Sequence, residues 1–135
     1  SQNTDKMMND ILAQALSKIN NAALRGKTEV TLYPSSKVIT RIMTLLKEEG
    51  YIADFKSENT TRGTVTTVQL NGKINKVGAI KPRFSVTMST YEKFEKRYLP
   101  AKDFGRMFIS TTDGIITHIK SKEANKGGVL IAYVH

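Results

Sequence analysis

The residues best placed to do chemistry lie near the C-terminal end of the 135-residue chain. Ser110-Thr111-Thr112-Asp113-Gly114 sets three consecutive hydroxyls ahead of an acid and a glycine, and Gly127-Gly128 then opens the apolar run Val129-Leu130-Ile131-Ala132-Tyr133-Val134. Hydroxyls both donate and accept hydrogen bonds, and a glycine pair lets a backbone approach a partner with no Cβ in the way. A surface of this kind suits RNA, whose sugar hydroxyls, phosphates and splayed bases all exchange hydrogen bonds. Catalysis is a poorer fit. Asp113 and His118 stand near the hydroxyls, but a triad is defined by spatial roles, and the chain has no Gly-x-Ser-x-Gly elbow. With only His118 and His135, no cysteine and no His-Glu-x-x-His pattern, the sequence offers no transition-metal site and no thiol nucleophile. His118 reads as a surface residue. Gly26-Lys27 and Gly72-Lys73 lack the upstream glycine of a Walker loop, and no Gly-x-Gly-x-x-Gly occurs, so no nucleotide cofactor is expected. Glu48-Glu49 and Glu92/Glu95 read as solvated helix surface.

Charge narrows the partner. Twenty-one Lys and Arg against 12 Asp and Glu give a net charge of +9, which biases binding toward polyanions. The excess is concentrated between Asn71 and Arg106, where nine basic residues face three acidic ones. Lys73, Lys76, Lys81 and Arg83 have no acidic neighbours in sequence, whereas Lys93, Lys96 and Arg97 alternate with Glu92 and Glu95. The first group is the better contact candidate. Apolar content of 39% is enough for a core, and the longest apolar runs are far too short to cross a bilayer. No signal pattern opens the sequence, so a soluble intracellular protein with no membrane partner is expected.

The elements that must carry these residues follow from periodicity. Met7, Met8, Ile11, Leu12, Ala15, Leu16 and Ile19 predict an amphipathic helix over about 4–24, with Thr4 as its cap, the Met pair in the core and Gly26 past its end. Glu29 to Tyr33 alternates as a short strand stopped by Pro34. Ser35 or Ser36 caps a second helix with Val38, Ile39, Ile42, Leu45 and Leu46 on its apolar face, ended by Glu49-Gly50. Tyr51–Phe55 and Thr64–Leu70 pair across the polar turn Asn59 to Gly63. Beyond Gly72, Ile74 to Ile80 is apolar and extended, Phe84 to Met88 alternates, and Ser89 with Glu92 has the spacing of a capping box for a helix to about Tyr98. Met107-Phe108-Ile109 predicts a buried strand leading into the hydroxyl loop, a helix spans about 117–126, and Gly128 to Val134 is the last strand. The class is α+β: an α-β-α-β-β lobe over 1–72, and a mainly antiparallel β lobe with short helices over 73–135.

Several stretches together resemble a known family. These are Asp10 to Leu16, Asn20-Asn21-Ala22, Pro34-Ser35-Ser36-Lys37, Glu49-Gly50-Tyr51-Ile52, Gln69 through Phe84, Glu92 to Lys96, Leu99 to Gly105, Ser110 to Thr117, Glu123-Ala124 and Gly127 to Val134. In order and spacing they are similar to the ribosomal small-subunit protein eight family, in its archaeal and eukaryotic branch, and Gly127 to Tyr133 leans archaeal. The resemblance covers nearly the whole chain.

It implies an α/β lobe packed on a mainly β lobe, gripping an irregular helix in the central domain of small-subunit rRNA during assembly. Carried over by position, Ser110, Thr111, Thr112 and Gly114 form the main RNA loop and Gly127 and Gly128 line the same cleft. Ser35, Ser36 and Lys37 contact RNA backbone from the other lobe, at a helix N-terminus. From the charge pattern rather than the resemblance, Lys76, Lys81 and Arg83 are expected to supply phosphate contacts. The implied partners are rRNA and neighbouring small-subunit proteins, in the cytoplasm, with no catalysis, cofactor, metal, small-molecule substrate or obligate homo-oligomer. Some family members also bind their own messenger, so a translational repressor using the same surface is the alternative. Two departures stand out: Thr112 replaces a usual Ser and Asp113 a common Lys. Lys120, Lys122 and Lys126 are expected to restore the charge that Asp113 removes.

Overall fold

The computed structural model describes residues 2–101 and 104–135, with side chains of the first helix from Ile11 onward. The chain is α+β and divides into two compact units, residues 1–75 and 76–135.

In the first unit, helix α1 (Gln2–Leu24) buries Leu12, Ala15, Leu16 and Ile19 of the predicted stripe and adds Ala22, while Ile11 stays half-buried. The expected Thr4 cap and the packing of Met7 and Met8 lie outside the described residues. Strand β1 (Glu29–Leu32) ends before Pro34, and helix α2 (Lys37–Glu48) starts where the Ser36 side chain accepts the Ile39 N–H at 3.3 Å. It buries Ile39, Ile42, Met43, Leu45 and Leu46; Met43 fills the face that sequence assigned in part to Val38, which stays half-exposed. Gly50, at φ +80°, lets the Tyr51 N–H return to the Leu46 carbonyl and close the helix.

Strands β2 (Ile52–Thr60) and β3 (Gly63–Leu70) form a hairpin with Thr60 opposite Gly63, so the predicted five-residue turn shrinks to Thr61-Arg62 and Asn59 and Thr60 belong to the strand. The sheet order is β1-β3-β2, all antiparallel. Leu32 pairs with Thr66 and Val30 with Val68, and Thr66 and Val68 are fully buried. Burial of the Thr66 hydroxyl is tolerated because it bonds to Ser35 Oγ at 2.7 Å and Ser57 Oγ at 2.9 Å.

The second unit is built around its last strand. β8 (Gly128–Val134) has β6 (Arg106–Thr111) on one side, with β7 (Gly114–Thr117) beyond it, and both β4 (Val77–Ala79) and β5 (Ser85–Val86) on the other. The chain therefore runs antiparallel to β8 twice, bulging away between the two pairings at Lys81-Pro82-Arg83. The two predicted strands in this stretch shorten to three and two residues.

Helix α3 (Tyr91–Tyr98) begins one residue later than a Ser89 capping box requires. The Thr90 hydroxyl accepts the Thr87 N–H at 2.9 Å and folds back on Thr87, so this local turn takes the place of the cap and Thr90 makes no side-chain bond to the helix. Helix α4 (His118–Glu123) is capped by Thr117, whose hydroxyl accepts the Lys120 N–H. Ile80, Val86, Tyr91, Phe94, Leu99, Met107, Ile109 and Leu130 form the core between these helices and the sheet. No helix among the described residues is long and apolar enough to cross a membrane.

Candidate nucleic-acid interface

The two glycine-anchored motifs meet. Ser110, Thr111, Thr112, Lys126, Gly127, Gly128 and Val129 line one open groove of about 480 Å³. The hydroxyl run is not a free loop, as the sequence had implied. Ser110 and Thr111 are the end of β6, Thr111 pairs with Gly114 at the start of β7, and only Thr112-Asp113 make the turn. The missed strand β7 is four residues long and carries adjacent Ile115 and Ile116, so it shows no two-residue alternation to read.

Within this hairpin the hydroxyls divide by role. Thr111 Oγ1 donates to the Gly114 carbonyl at 2.7 Å and accepts the Asp113 N–H at 3.2 Å, which closes the turn and leaves one lone pair. Ser110 and Thr112 hydroxyls take no side-chain partner among the described residues, and Thr112 is exposed. They are the free donors of the groove.

The glycine pair answers first to the sheet. A Cβ on Gly127 would stand 2.4 Å from the Val86 carbonyl oxygen, and one on Gly128 2.4 Å from that of Ser110 and 2.8 Å from Ile109 Cγ2. Backbone lies on both sides, so these residues are glycine because β5 and β6 approach too closely for a side chain. Their bare backbone in the groove is a consequence of that packing. The segment is also held from below: Tyr91 Oη donates to the Lys126 carbonyl at 3.1 Å or to Ser121, and Ser121 Oγ reaches the same carbonyl at 2.8 Å. Desolvation raises the Tyr91 pKa, which keeps its hydroxyl neutral as this arrangement needs.

Charge at the groove is lower than expected. Lys126 forms an ion pair with Asp113, and Lys122 with Glu95 at 2.6 Å. Of the three lysines expected to offset Asp113, one is matched to Asp113 itself and one to α3, leaving exposed Lys120. His118 corrects the sequence reading outright. It is 1% exposed, and its Nδ1 accepts the Met107 N–H at 3.0 Å, so it is a core residue fixing β6. Burial lowers its pKa to about 4 against the opposing pull of Glu95.

The other proposed contacts are dispersed. Lys76 pairs through its backbone with His135, at the opposite end of β8 from Gly128, about 23 Å away at 3.3 Å per residue. Exposed Lys81 and Arg83 sit on the bulge between. In the first unit, Ser36, Lys37, Thr40, Arg41, Thr44, Asn59 and Thr64 line an open groove of about 460 Å³. Ser35 does not line this groove and its hydroxyl is engaged with Thr66, and the Ser36 hydroxyl accepts the Ile39 N–H, which leaves exposed Lys37 as the direct candidate. Thr40, Arg41 and Thr44, which the sequence reading does not single out, share this groove through their four-residue spacing with Ser36, Lys37 and Thr40, and the Thr40 and Thr44 hydroxyls donate to the Ser36 and Thr40 carbonyls at 3.0 Å. Lys126 was noted only for its charge; its partner lies 13 residues away in sequence.

A family model described as Ribosomal protein S8 matches residues 10–135. The chain is also similar to the small ribosomal subunit protein uS8 of Nanoarchaeum equitans (strain Kin4-M), 43% identical over 129 residues that span 96% of this chain and all of that protein.

Proposed function

Because the chain belongs to the ribosomal protein S8 family, we propose that it is a structural constituent of the small ribosomal subunit that binds small-subunit rRNA through the groove between the β6–β7 hairpin and Gly127-Gly128. That family is one of structural ribosomal proteins, not of enzymes. The observation that carries the reading is the convergence of free Ser110 and Thr112 hydroxyls with bare glycine backbone on one open surface. Hydroxyls and backbone groups read base edges and 2′-hydroxyls, a recognition that depends on RNA shape more than on charge. The low net charge of the groove is consistent with that division: specificity there, bulk attraction elsewhere. The second unit holds 11 basic and 5 acidic residues, so attraction is available nearby.

The test is sedimentation of the native protein through a sucrose gradient. Co-migration with the small subunit in cytoplasmic extract is expected, and it should be lost when Ser110 and Thr112 are replaced together by Ala and Val. Protein that stays with free messenger at the top of the gradient would overturn this reading in favour of a translational repressor.

A further inference from the structure

Two cations of helix α3 lie over aromatic rings. On α3, Glu92 is matched by Lys96 at 3.4 Å and Glu95 by Lys122, which leaves Lys93 and Arg97, four residues apart, without a carboxylate among the described residues. Each lies over a ring instead. Lys93 Nζ is 5.7 Å from the centre of Phe94, and the Arg97 guanidinium is 5.1 Å from Phe84 and 5.4 Å from Tyr98.

The rings continue as a ladder. Phe94 meets Phe84 at 5.2 Å, Tyr98 meets Tyr133 at 5.5 Å, and Tyr133 stacks on His135 at 6.2 Å. Phe84, Tyr98 and Tyr133 are half-buried and pack against the rim of the core. Exposed Lys76 stands at the far end; burial lowers the pKa of His135, and the charge of Lys76 adds to that shift. Gly78 pairs directly with Tyr133 and lets the ring lie over its own strand, where a Cβ would come within 3.1 Å of the Tyr133 hydroxyl.

A core needs only apolar cover at its rim, and matched ion pairs would serve for solubility. A guanidinium over two half-buried rings, with cations at either end of the ladder, is an arrangement that suits bases and their phosphates together. From this geometry we infer that Phe84, Arg97, Tyr98 and Tyr133, flanked by Lys93 and Lys76, form a second RNA surface that takes unpaired nucleotides. The inference rests on the chain being an RNA binder but not on the hairpin being its specific site. Because stacking tolerates any base, this surface holds a flexible strand adjoining the specific site without reading its sequence.

The test is ultraviolet cross-linking of the full-length chain to a short uridine oligonucleotide and, separately, to the central domain of small-subunit rRNA, with the linked residues mapped by mass spectrometry. The uridine probe should link at Phe84, Tyr98 or Tyr133, and Arg97→Ala should weaken its binding by about three- to thirtyfold. Circular dichroism must show that variant folded, and the wild-type map stands independently of it. Links confined to the hairpin would sink this inference and leave the proposed function intact. Ladder links with no preference for rRNA over other RNA would do the reverse. If the ladder instead captures an acidic peptide in preference to the oligonucleotide, the surface is a protein-docking site and the inference is wrong.

Discussion

Replacing Thr111 by Val tests whether that hydroxyl holds the hairpin or reads RNA. Valine keeps the branched shape and removes two bonds, one to the Gly114 carbonyl at 2.7 Å and one from the Asp113 N–H at 3.2 Å. A hydrogen bond is worth about 0.5–1.5 kcal/mol net, and the longer of these sits near the weak end of the range. Water reaches this turn and compensates in part, so the loss should be about 1–2 kcal/mol. Unfolding entropy of about 2.1 cal/mol/K per residue over 135 residues converts 1 kcal/mol into roughly 3–4 °C. Calorimetry should therefore record a fall in Tm of about 3–7 °C, while filter binding shows the ratio of affinities for central-domain rRNA and an unrelated structured RNA changed less than threefold. Thr112→Val should behave oppositely. Its exposed hydroxyl is free, so Tm should move by less than about 2 °C while cognate affinity falls roughly five- to a hundredfold, the cost of a bond lost to a buried partner. A Thr111→Val protein with unchanged Tm and a collapsed specificity ratio would refute this division of roles.

Asp113→Asn frees the Lys126 ammonium, so rRNA binding should tighten and log K should fall more steeply with log salt by about one ion; an unchanged slope in the titration would mean that Lys126 does not face RNA. His118 is neutral in the folded chain down to about pH 4, whereas the unfolded chain binds a proton below about 6.5. Stability should therefore fall as pH drops through that window, by about 2 kcal/mol by pH 5 in urea unfolding, and His118→Gln should flatten the profile. An equally steep acid loss in the variant would assign the effect to another group. Thr66→Val strands the Ser35 and Ser57 hydroxyls and should cost about 1–2 kcal/mol, read as a lowered urea midpoint; no shift would mean that water replaces the network.

What could be read from sequence followed the strength of local signals. The apolar stripes of α1 and α2, the Pro34 stop, the Gly50 turn and the continuous apolar run of β8 each declare themselves within a dozen residues, and so does the alternation of helix and strand. The shortest pieces did so less well. β4 and β5 lie inside the extended stretches expected over 74–80 and 84–88 but are cut to the residues that β8 pairs, and the four-residue β7, which exists because β6 offers it an edge, has no period of its own. The site was legible as two motifs but not in its working parts. Nothing in Ser110-Thr111-Thr112 says which hydroxyl faces inward, because that is set by the Thr111–Gly114 pairing. Gly127 and Gly128 suggested approach to a ligand, whereas the close neighbours are Val86 and Ser110 of adjoining strands. His118 was misjudged for the same reason: its burial beneath β6 comes from a contact 11 residues away that no local pattern encodes.

The most direct test of the account is a hydroxyl-radical footprint of the purified chain on small-subunit rRNA, run with wild type and with the Ser110→Ala/Thr112→Val double variant at equal saturation by an unrelated RNA competitor. The account predicts one protected helix in the central domain, present with wild type and lost with the double variant. Protection that persists in the variant, or that spreads over the rRNA with no preferred helix, would contradict it.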